Sequence, residues 1–411
     1  MTTNCRFCGT PLKHTFVDLG STPVANDLVT PAQAQATATD PSYPLHVYVC
    51  DNCWLVQIPN IRRENEIFTD NYPYFSSFSS SWLKHAKDYV DMMVERFNIG
   101  PQHQVVELAS NDGYLLQYFK EKGVPVLGVE PTKNTAAAAQ AKGIETVTKF
   151  FGADVAEELA PTKSADLLIG NNVLAHVPDL NDFVAGMSKL LKPTGILTME
   201  FPHLMRLMAG NQFDTIYHEH YSYYSLLAVE KIFAKHGLTV FDVAELKSHG
   251  GSLRVFARKS ENDKLPVLPS VEELKKREVE AGLTDLSTYS AFGERVQKIK
   301  RDLNAFIARL KSQGKSIIAY GAAAKGNTLL NFSGVKVDSI DYAVDANPNK
   351  QGHYLPGSRI PIYGPARIKE TKPDYVLILP WNLTKEITSD HSYVTEWGGK
   401  FFVAIPEVKE L

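Results

Sequence analysis

The fold of this chain is decided by the stretch VVELASNDG, which occupies Val105–Gly113. A short buried strand is predicted at Gln104–Leu108; it leads into a loop of small residues, and a helical pattern follows. Further short strands are predicted at Val126–Val129, Asp166–Gly170 and Gly195–Phe201, with helices between them. This alternation indicates an α/β fold in which a parallel, doubly wound sheet forms a Rossmann-like central domain.

Size and charge limit the class of protein. A chain of 411 residues is longer than a single hydrophobic core usually supports, so two or three domains are expected. A hydrophobic content of 44% is that of an ordinary globular protein. A net charge of -3 gives no electrostatic case for a nucleic acid or an anionic membrane as partner. The first residues lack the features of a signal peptide, and no apolar run reaches the roughly 18 residues of a membrane helix. We therefore expect a cytoplasmic protein.

A long helix and a second α/β unit are predicted in the C-terminal part. Apolar residues recur every three or four positions over Leu286–Leu310, which is typical of an amphipathic helix. We expect this helix to brace two domains, and a short coiled coil is the alternative. The strands of the second unit are predicted at Ser316–Tyr320, Asp341–Val344, Tyr375–Leu379 and Phe401–Ala404.

The four cysteines form two C-x-x-C pairs, Cys5/Cys8 and Cys50/Cys53. Two such pairs complete a tetrahedral sulfur site for one zinc ion, and the metal is structural because protein fills all four positions. A redox pair is the alternative, although redox motifs normally lie in a βαβ context. The predicted division is a small zinc-binding domain over residues 1–70, a central domain over 71–260 and a C-terminal Rossmann-like α/β domain over 261–411.

A first ligand is expected at the carboxyl ends of the central strands, where doubly wound sheets bind ligands. Glu130 ends the second strand, at the position from which an acid accepts hydrogen bonds from ribose hydroxyls. The loop lacks G-x-G-x-x-G and its cradle for a pyrophosphate. S-adenosylmethionine has no phosphate, so this difference favours it over a dinucleotide, and a plain structural turn is the alternative. Asn172 and His176 follow the strand Asp166–Gly170 and are expected to face the same crevice.

Titratable residues are concentrated in Tyr217-His218-Glu219-His220-Tyr221. One histidine oriented by Glu219 suits general base catalysis. One alternative is an aromatic loop whose polar groups satisfy one another. A second alternative is a metal site at His218 and His220, although their spacing differs from that of H-E-x-x-H.

A second ligand site is predicted at the loop Gly321–Thr328, which also joins a strand to a helix. It is not a Walker A loop. A diphosphate would still fit there, because the loop has small residues and places Lys325 and Thr328 at a helix N-terminus. Asp345, at the tip of the next strand, is expected to bind a nucleoside hydroxyl, and Arg254 to contact an anion. The alternative is a degenerate nucleotide fold kept as a structural support.

In this order the motifs resemble those of the sugar C-methyltransferases of deoxysugar biosynthesis, which include 3-C-methyltransferases of TDP-4-keto-6-deoxyhexoses. The resemblance spans essentially the whole chain. Besides the cysteine pairs, it rests on Tyr72-Pro73-Tyr74-x-Ser76-Ser77, Glu107…Asn111-Asp112-Gly113, Tyr217-x-Glu219-His220 and Tyr320-Gly321-x-x-x-Lys325.

This resemblance implies a role for each site. S-adenosylmethionine is expected on the central domain, and the nucleotide sugar between that domain and the C-terminal one. His220 corresponds to the base that removes the C3 proton, with Tyr217 and Glu219 as neighbours and His176 near the sugar. The residues expected to bind the cofactor are Glu107, Ser110, Asn111, Asp112, Gly113, Glu130 and Asn172. Those expected to bind the substrate are Tyr72, Tyr74, Ser77, Arg254, Lys325, Asn327, Thr328 and Asp345.

The expected reaction is methyl transfer to C3 of a nucleotide-linked 4-keto-6-deoxy sugar. The 4-keto group is required because a sugar C–H is not acidic without a neighbouring ketone. His220 would take the proton, and His176 or Tyr217 would stabilise the enolate oxygen. TDP is the favoured nucleotide and GDP the alternative, and the protein is expected to be a monomer or a small homo-oligomer. An O- or N-methyltransferase and a non-catalytic zinc-containing scaffold are the competing functions.

Overall fold

The computed structural model of this protein describes residues 3–35, 39–61, 68, 70, 72 and 74–411. Pro73, from the aromatic motif, and Asn71, the first residue of the predicted central domain, lie outside these ranges. Three sheets of four, seven and six strands organise the described chain. None of the helices in these ranges is long and apolar enough to cross a membrane.

Strands and helices are numbered in chain order over the described residues. The strands are β1 (His14–Thr22), β2 (Tyr43–Val49), β3 (Val56–Gln57), β4 (Val105–Leu108), β5 (Val126–Val129), β6 (Thr146–Val147), β7 (Ala165–Asn171), β8 (Leu191–Pro202), β9 (Ser222–Tyr223), β10 (Leu238–Leu246), β11 (Ser252–Lys259), β12 (Ile317–Tyr320), β13 (Ala343–Val344), β14 (Ile362–Tyr363), β15 (Tyr375–Ile378), β16 (Lys400–Val403) and β17 (Lys409–Glu410). The helices are α1 (Pro31–Gln35), α2 (Ser80–Phe97), α3 (Leu116–Glu121), α4 (Lys133–Ala141), α5 (Ala153–Lys163), α6 (Leu180–Leu190), α7 (Leu204–Ala209), α8 (Leu226–Lys235), α9 (Pro269–Glu280), α10 (Leu286–Ser312), α11 (Ala324–Ser333), α12 (Arg367–Thr371) and α13 (Thr384–Asp390).

The central sheet has the strand order β10-β11-β8-β7-β4-β5-β6. Strands β4 to β8 pair in parallel, and β11 is antiparallel to both of its neighbours. The chain leaves β4 toward β5 and later returns on the other side of β4 as β7. The order therefore reverses between β4 and β7, which opens a crevice at their carboxyl ends. The predicted α/β fold is confirmed, and all four predicted central strands form.

The N-terminal domain folds around an antiparallel sheet in the order β1-β2-β3-β9. Its last strand, β9, comes from the central domain, where Tyr223 pairs with Val56 and Ser222 with Gln57. A two-residue strand carries no periodic pattern, so the sequence did not predict this connection. The first domain therefore has a sheet that the second domain completes.

The four cysteine sulfurs converge beside this sheet. The Sγ atoms of Cys5 and Cys53 lie 3.6 Å apart, those of Cys8 and Cys50 lie 3.5 Å apart, and all four lie within 4.8 Å of one another. Sulfurs about 2.3 Å from one zinc ion, at the corners of a tetrahedron, lie about 3.8 Å apart. The donor set therefore fits a structural zinc ion, whereas a disulfide needs sulfurs about 2 Å apart.

Gln57 links the cysteine cluster to the shared sheet. Its side-chain amide donates to Cys5 Sγ at 3.1 Å, and its side-chain oxygen accepts the backbone N–H of Arg6 at 2.9 Å. Because Gln57 also pairs with Ser222 of β9, the cysteine cluster and the loop that precedes β9 belong to one hydrogen-bonded unit.

The C-terminal sheet has the order β14-β13-β12-β15-β16-β17 and is parallel except for β17. Its order reverses between β12 and β15, which opens a second crevice. Helix α10 joins this domain to the first one. The Phe292 ring stacks on Phe16 of β1 at 4.5 Å, and the Phe306 ring packs against Phe402 of β16 at 4.9 Å. The predicted bracing helix is therefore confirmed.

Replacing a zinc ligand is expected to destabilise the shared sheet. In Cys50→Ala the metal loses one of its four sulfurs, so the zinc content and the melting temperature should both fall. Metal analysis and differential scanning fluorimetry measure the two effects. Asp51→Ala changes an exposed residue of the same turn and should leave both values unchanged. Stoichiometric zinc in Cys50→Ala would contradict this assignment.

Candidate active site

The loop after β4 turns through left-handed backbone conformations. Asn111 and Gly113 have φ angles of 48° and 75°. A Cβ on Gly113 would lie 2.4 Å from Cδ1 of Ile144, so only glycine fits there. The turn aims the backbone N–H of Asn111 at Glu130, whose Oε2 accepts it at 2.9 Å. Glu130 is buried, and its Oε1 accepts the backbone N–H of Thr132 at 2.9 Å, which fixes the carboxylate at the end of β5.

Buried polar atoms without partners surround the first crevice. Glu107 of β4 is completely buried; neither carboxylate oxygen has a hydrogen-bond partner at normal distance among the described residues, and the Tyr114 side chain is the donor that acts on its pKa. Unpartnered atoms of the same kind are Ser110 Oγ, Asp112 Oδ1, Asn171 Oδ1 and Asn172 Oδ1. Each unsatisfied buried polar group costs about 1–3 kcal/mol, so a polar ligand is expected here. The ammonium, carboxylate and hydroxyl groups of S-adenosylmethionine fit this mixture of acceptors and donors.

A short aromatic segment lies against the cofactor loop. The Asn111 side chain accepts the backbone N–H of Ser76 at 2.9 Å and donates to the Tyr74 carbonyl at 3.1 Å. Lys142 donates to Ser77 Oγ at 2.9 Å. Tyr74 and Ser77, which the sequence assigns to the substrate, therefore adjoin the predicted cofactor residues.

His220 is held in a single tautomer. Its Nδ1 donates to the Thr215 carbonyl at 2.8 Å, so the lone pair is on Nε2, which accepts the Tyr217 hydroxyl at 2.8 Å. Burial lowers the pKa of His220 well below its usual value, and the neighbouring His176 lowers it further. The ring is therefore neutral and oriented by the Thr215 carbonyl. This corrects the expectation that Glu219 orients it.

His176 faces His220 edge-on, with ring centroids 4.7 Å apart. Its Nδ1 donates to the Glu219 carbonyl at 2.8 Å, and burial lowers its pKa to about 4. A neutral ring in this tautomer has no proton on Nε2. The expectation that His176 donates to an enolate oxygen is therefore wrong.

The Glu219 side chain is fixed by the N-terminal domain. Asn26 donates to both carboxylate oxygens at 2.8 Å. Burial raises the pKa of the Tyr72 phenol well above its usual value, and the charge of Glu219 adds to this rise. Tyr72, a predicted substrate residue, therefore lies beside the loop of residues 211–221, which carries the predicted base His220 (the catalytic loop).

His218 points toward the N-terminal domain. Its Nε2 lies 3.3 Å from each of the carbonyl oxygens of Tyr43 and Pro44, to which it donates. Over the ranges that the structure describes, only the four cysteines form a group of three or more side chains able to hold a metal. The geometry therefore does not support a metal site at His218 and His220.

Lys325 brings a positive charge from the C-terminal domain toward the catalytic loop. Its Nζ lies 3.4 Å from Asn382 Oδ1 and 5.1 Å from the centre of the Trp381 ring. Burial, followed by the charge of Lys325, lowers the pKa of His249 to about 4. The same charge contributes to the lowered pKa of His220, after burial and the neighbouring histidine. The lysine therefore lies within electrostatic reach of both rings.

A buried acid anchors the loop after β15 to the catalytic loop. Asp214 is completely buried, and its Oδ2 accepts the indole N–H of Trp381 at 2.7 Å. Burial raises the pKa of Asp214 to about 6, and the charge of Lys325 opposes this rise. Since Asp214 precedes Thr215, the contact that holds Trp381 adjoins the carbonyl that orients His220.

Arg254 has a different partner from the one that the sequence suggested. It is 5% exposed, and its guanidinium donates to Glu200 Oε2 at 2.6 Å inside the central sheet. Its charge is therefore already compensated, which corrects the expectation that it contacts an anion of the substrate.

Asn327 and Thr328 join domains. The Asn327 amide donates to the carbonyl of Ala25 at 2.6 Å, and the Thr328 hydroxyl donates to that of Ile216 at 2.9 Å. Both side chains are buried. The structure therefore corrects their expected role as direct substrate ligands and assigns them to positioning the catalytic loop.

Asp345 repeats the arrangement of Glu130 in the C-terminal sheet. Its Oδ2 accepts the backbone N–H of Ala322 at 2.7 Å, and its Oδ1 accepts that of Asn347 at 2.8 Å. In both sheets, the acid after the second strand therefore clamps the loop after the first. Binding of a nucleoside hydroxyl by Asp345 stays a prediction.

Thr215, Asp214, Asn26 and Trp381 hold the catalytic loop but were not predicted. Trp381 carried a usable signal, because it closely follows the predicted strand Tyr375–Leu379 at the carboxyl edge of a parallel sheet. The other three have no local motif, since the partners of Asp214 and Asn26 are distant in sequence and Thr215 acts through its carbonyl.

Comparison with known protein families matches three consecutive regions of the chain. Residues 5–68 match a zinc binding domain, residues 82–243 a methyltransferase domain, and residues 247–406 a C-methyltransferase C-terminal domain. The zinc match covers the four cysteines, and the methyltransferase match covers the crevice between β4 and β7.

Individual proteins are also similar to this chain. C-methyltransferase NovU from Streptomyces niveus is 37% identical over 404 residues, which are 98% of this chain and 95% of NovU. A ubiquinone biosynthesis O-methyltransferase from Rhodopseudomonas palustris is 27% identical over 97 residues, 23% of this chain and 38% of that protein. A magnesium protoporphyrin IX methyltransferase from Synechocystis, crystallised with bound SAM, is 16% identical with a TM-score of 0.35, covering 48% of this chain and 89% of that one.

The similarity to NovU decides the family, because the match extends over 98% of this chain and runs through all three domains. The four sulfurs fit the zinc ion of the N-terminal domain. The chain therefore belongs to the C-methyltransferase family and is an S-adenosylmethionine-dependent C-methyltransferase.

Proposed function

We propose that this enzyme methylates C3 of a nucleotide-linked 4-keto-6-deoxy sugar after a proton is removed from C3. The observation that carries the proposal is the neutral His220, with its Nε2 lone pair turned toward Tyr217. A carbon beside a ketone becomes nucleophilic toward a methyl donor when a base withdraws its proton. A neutral base held beside a methyl-donor site is suited to this step.

Lys325 supports a ketone as the activating group. When the proton leaves C3, the electron pair spreads onto the C4 oxygen, where a positive charge or a hydrogen-bond donor stabilises it. The charge of Lys325 reaches His220 and His249, whereas His176 has no proton to offer. We assign Lys325, which the sequence places at the diphosphate, to this oxygen instead, and the nucleotide, TDP more readily than GDP, to the loop that Asp345 clamps.

The site of methylation is the direct test. With S-adenosylmethionine and a TDP-4-keto-6-deoxyhexose, the product should carry a new C–CH3 group at C3, located by carbon–proton correlation NMR. The same sugar nucleotide reduced to a 4-hydroxyl should not react, because its C3–H is not acidic. Methyl on oxygen or nitrogen, or methylation of the reduced sugar, would contradict the proposal.

Lys325→Met should lower kcat by roughly 10²–10³, the usual loss when one group that stabilises an oxyanion is removed. The KM for the nucleotide sugar should change little, because the charge matters mainly in the transition state. Steady-state kinetics separate the two constants. Lys336→Met, at an exposed position of the same domain, is the control and should match the wild type. A raised KM with normal kcat would instead assign Lys325 to the diphosphate.

A further inference from the structure

The loop Ser248–Gly251, which joins β10 to β11, holds a histidine in a left-handed backbone conformation. His249 has a φ of 53°, which residues other than glycine rarely adopt. Gly250 follows with a φ of 88°, and a Cβ there would collide with the Trp381 ring. Strain of this kind persists where the surrounding structure enforces it, and it is concentrated at active and ligand sites.

A buried ion pair and the catalytic loop fix this strained loop. The Ser248 hydroxyl donates to Glu200 Oε1 at 2.9 Å, and the other oxygen of Glu200 accepts from Arg254 at 2.6 Å. The Gly250 carbonyl accepts the side-chain amide of Gln212 at 2.8 Å. The position of His249 is therefore set both by the end of β8 and by the loop that carries His220.

His249 lies between the cofactor crevice and the C-terminal domain. Its ring packs edge-on against Trp82 at 5.1 Å, and Trp82 in turn stacks on Tyr114, 5.9 Å away in the loop after β4. On the other side, the loop packs against Trp381, whose ring centre lies 5.1 Å from Lys325 Nζ. The imidazole therefore lies where the two predicted ligand sites meet.

The tautomer of His249 differs from those of the other two histidines at this place. Its Nδ1 is buried without a hydrogen-bond partner among the described residues. A proton on Nδ1 would leave a buried N–H without an acceptor, so the neutral ring carries its proton on Nε2. His220 and His176 carry theirs on Nδ1. Of the three rings, His249 is thus the one that offers an N–H from Nε2.

We propose that His249 binds the acceptor sugar by donating a hydrogen bond from Nε2 to one of its oxygen atoms. The inference rests on the proposed function, because it takes a sugar as the molecule held between the two domains. A carbonyl oxygen at C4 and a ring hydroxyl both offer the lone pair that an imidazole N–H needs. Glu200 and Ser248 are then positioning residues, which hold the loop and do not touch the sugar.

A neutral donor suits this place better than a second cation. Lys325 already lies against the same indole ring, and like charge disfavours a protonated imidazole beside it. Burial, followed by the charge of Lys325, lowers the pKa of His249 to about 4, so the ring stays neutral near pH 7. Because the loop fixes the ring before the sugar binds, little side-chain freedom is lost on binding.

Two amide variants test the donor. Asparagine and glutamine both lack the imidazole, but the amide of glutamine reaches about as far as Nε2, whereas that of asparagine ends near the position of Nδ1. His249→Asn should lower kcat/KM for the 4-keto sugar nucleotide at least about 10-fold, the loss expected for one hydrogen bond to substrate. His249→Gln should retain more activity. Asparagine adopts the left-handed conformation readily, so the melting temperature of His249→Asn should not fall.

The kinetic constants of His249→Asn identify the oxygen. A lower kcat with an unchanged KM assigns His249 to the C4 oxygen, where charge develops, and a higher KM with an unchanged kcat assigns it to a ring hydroxyl. The control is His103→Asn. His103 precedes β4 at the opposite edge of the sheet, where its Nδ1 accepts the backbone N–H of Gly100 at 3.0 Å. This variant should keep the wild-type kcat/KM.

Three results would overturn the role of His249 and leave the proposed function standing. They are an unchanged kcat/KM in His249→Asn, an activity of His249→Asn that equals or exceeds that of His249→Gln, and a loss of activity that comes with a lower melting temperature, since His249 would then be a packing residue. A wild type that does not methylate the 4-keto sugar nucleotide would instead overturn the proposed function.

Discussion

The backbone segment 211–223 is the constraint on which the rest of the structure depends, because each domain holds part of it. The N-terminal domain pairs β3 with β9, and the central domain accepts the backbone N–H of Tyr221 at the Ala175 carbonyl, 2.7 Å away. The C-terminal domain holds the segment through two hydrogen bonds, which Thr328 donates to the Ile216 carbonyl and Trp381 donates to Asp214. Inside this frame the Thr215 carbonyl fixes His220. The position of one imidazole is therefore set by all three folding units.

Burial disfavours charge on the side chains that surround this imidazole. Burial holds His220 and His176 neutral and Tyr217 protonated. The charges of Lys325 and Asp214 act on each other, that of Lys325 against the rise in the pKa of Asp214 and that of Asp214 against the fall in the pKa of Lys325. Leaving one buried charge without a compensating partner costs several kcal/mol of desolvation free energy. An environment of this kind favours a reaction in which a proton transfer and a neighbouring anion arise together, because each then compensates the other.

Local patterns in the sequence were enough for the architecture and for the zinc site. The strand at Val105–Leu108 and the helix that begins at Leu286 follow from periodicity, and the cysteine pairs from spacing. The position of the residues at the crevice between β4 and β7 was predicted for a similar reason, since they follow the ends of predicted strands. The residues that contact each buried side chain could not be predicted. Arg254 is compensated by Glu200, and Glu219 is held by Asn26, 193 residues away, because packing between strands and domains decides these contacts.

The strand shared between the first two domains has a consequence for recombination. A chimera in which the zinc-bearing segment comes from one homologue and the central domain from another joins two halves of a single antiparallel sheet, and the register of Gln57 against Ser222 must survive the exchange. A chimera that exchanges the C-terminal domain must likewise keep the hydrogen bonds from Thr328 to the Ile216 carbonyl and from Trp381 to Asp214. The three regions are consecutive along the chain, but all of them contact the catalytic loop, so each depends on the geometry of the others. Acceptor specificity is therefore more readily altered by changes within a domain than by exchanging whole domains.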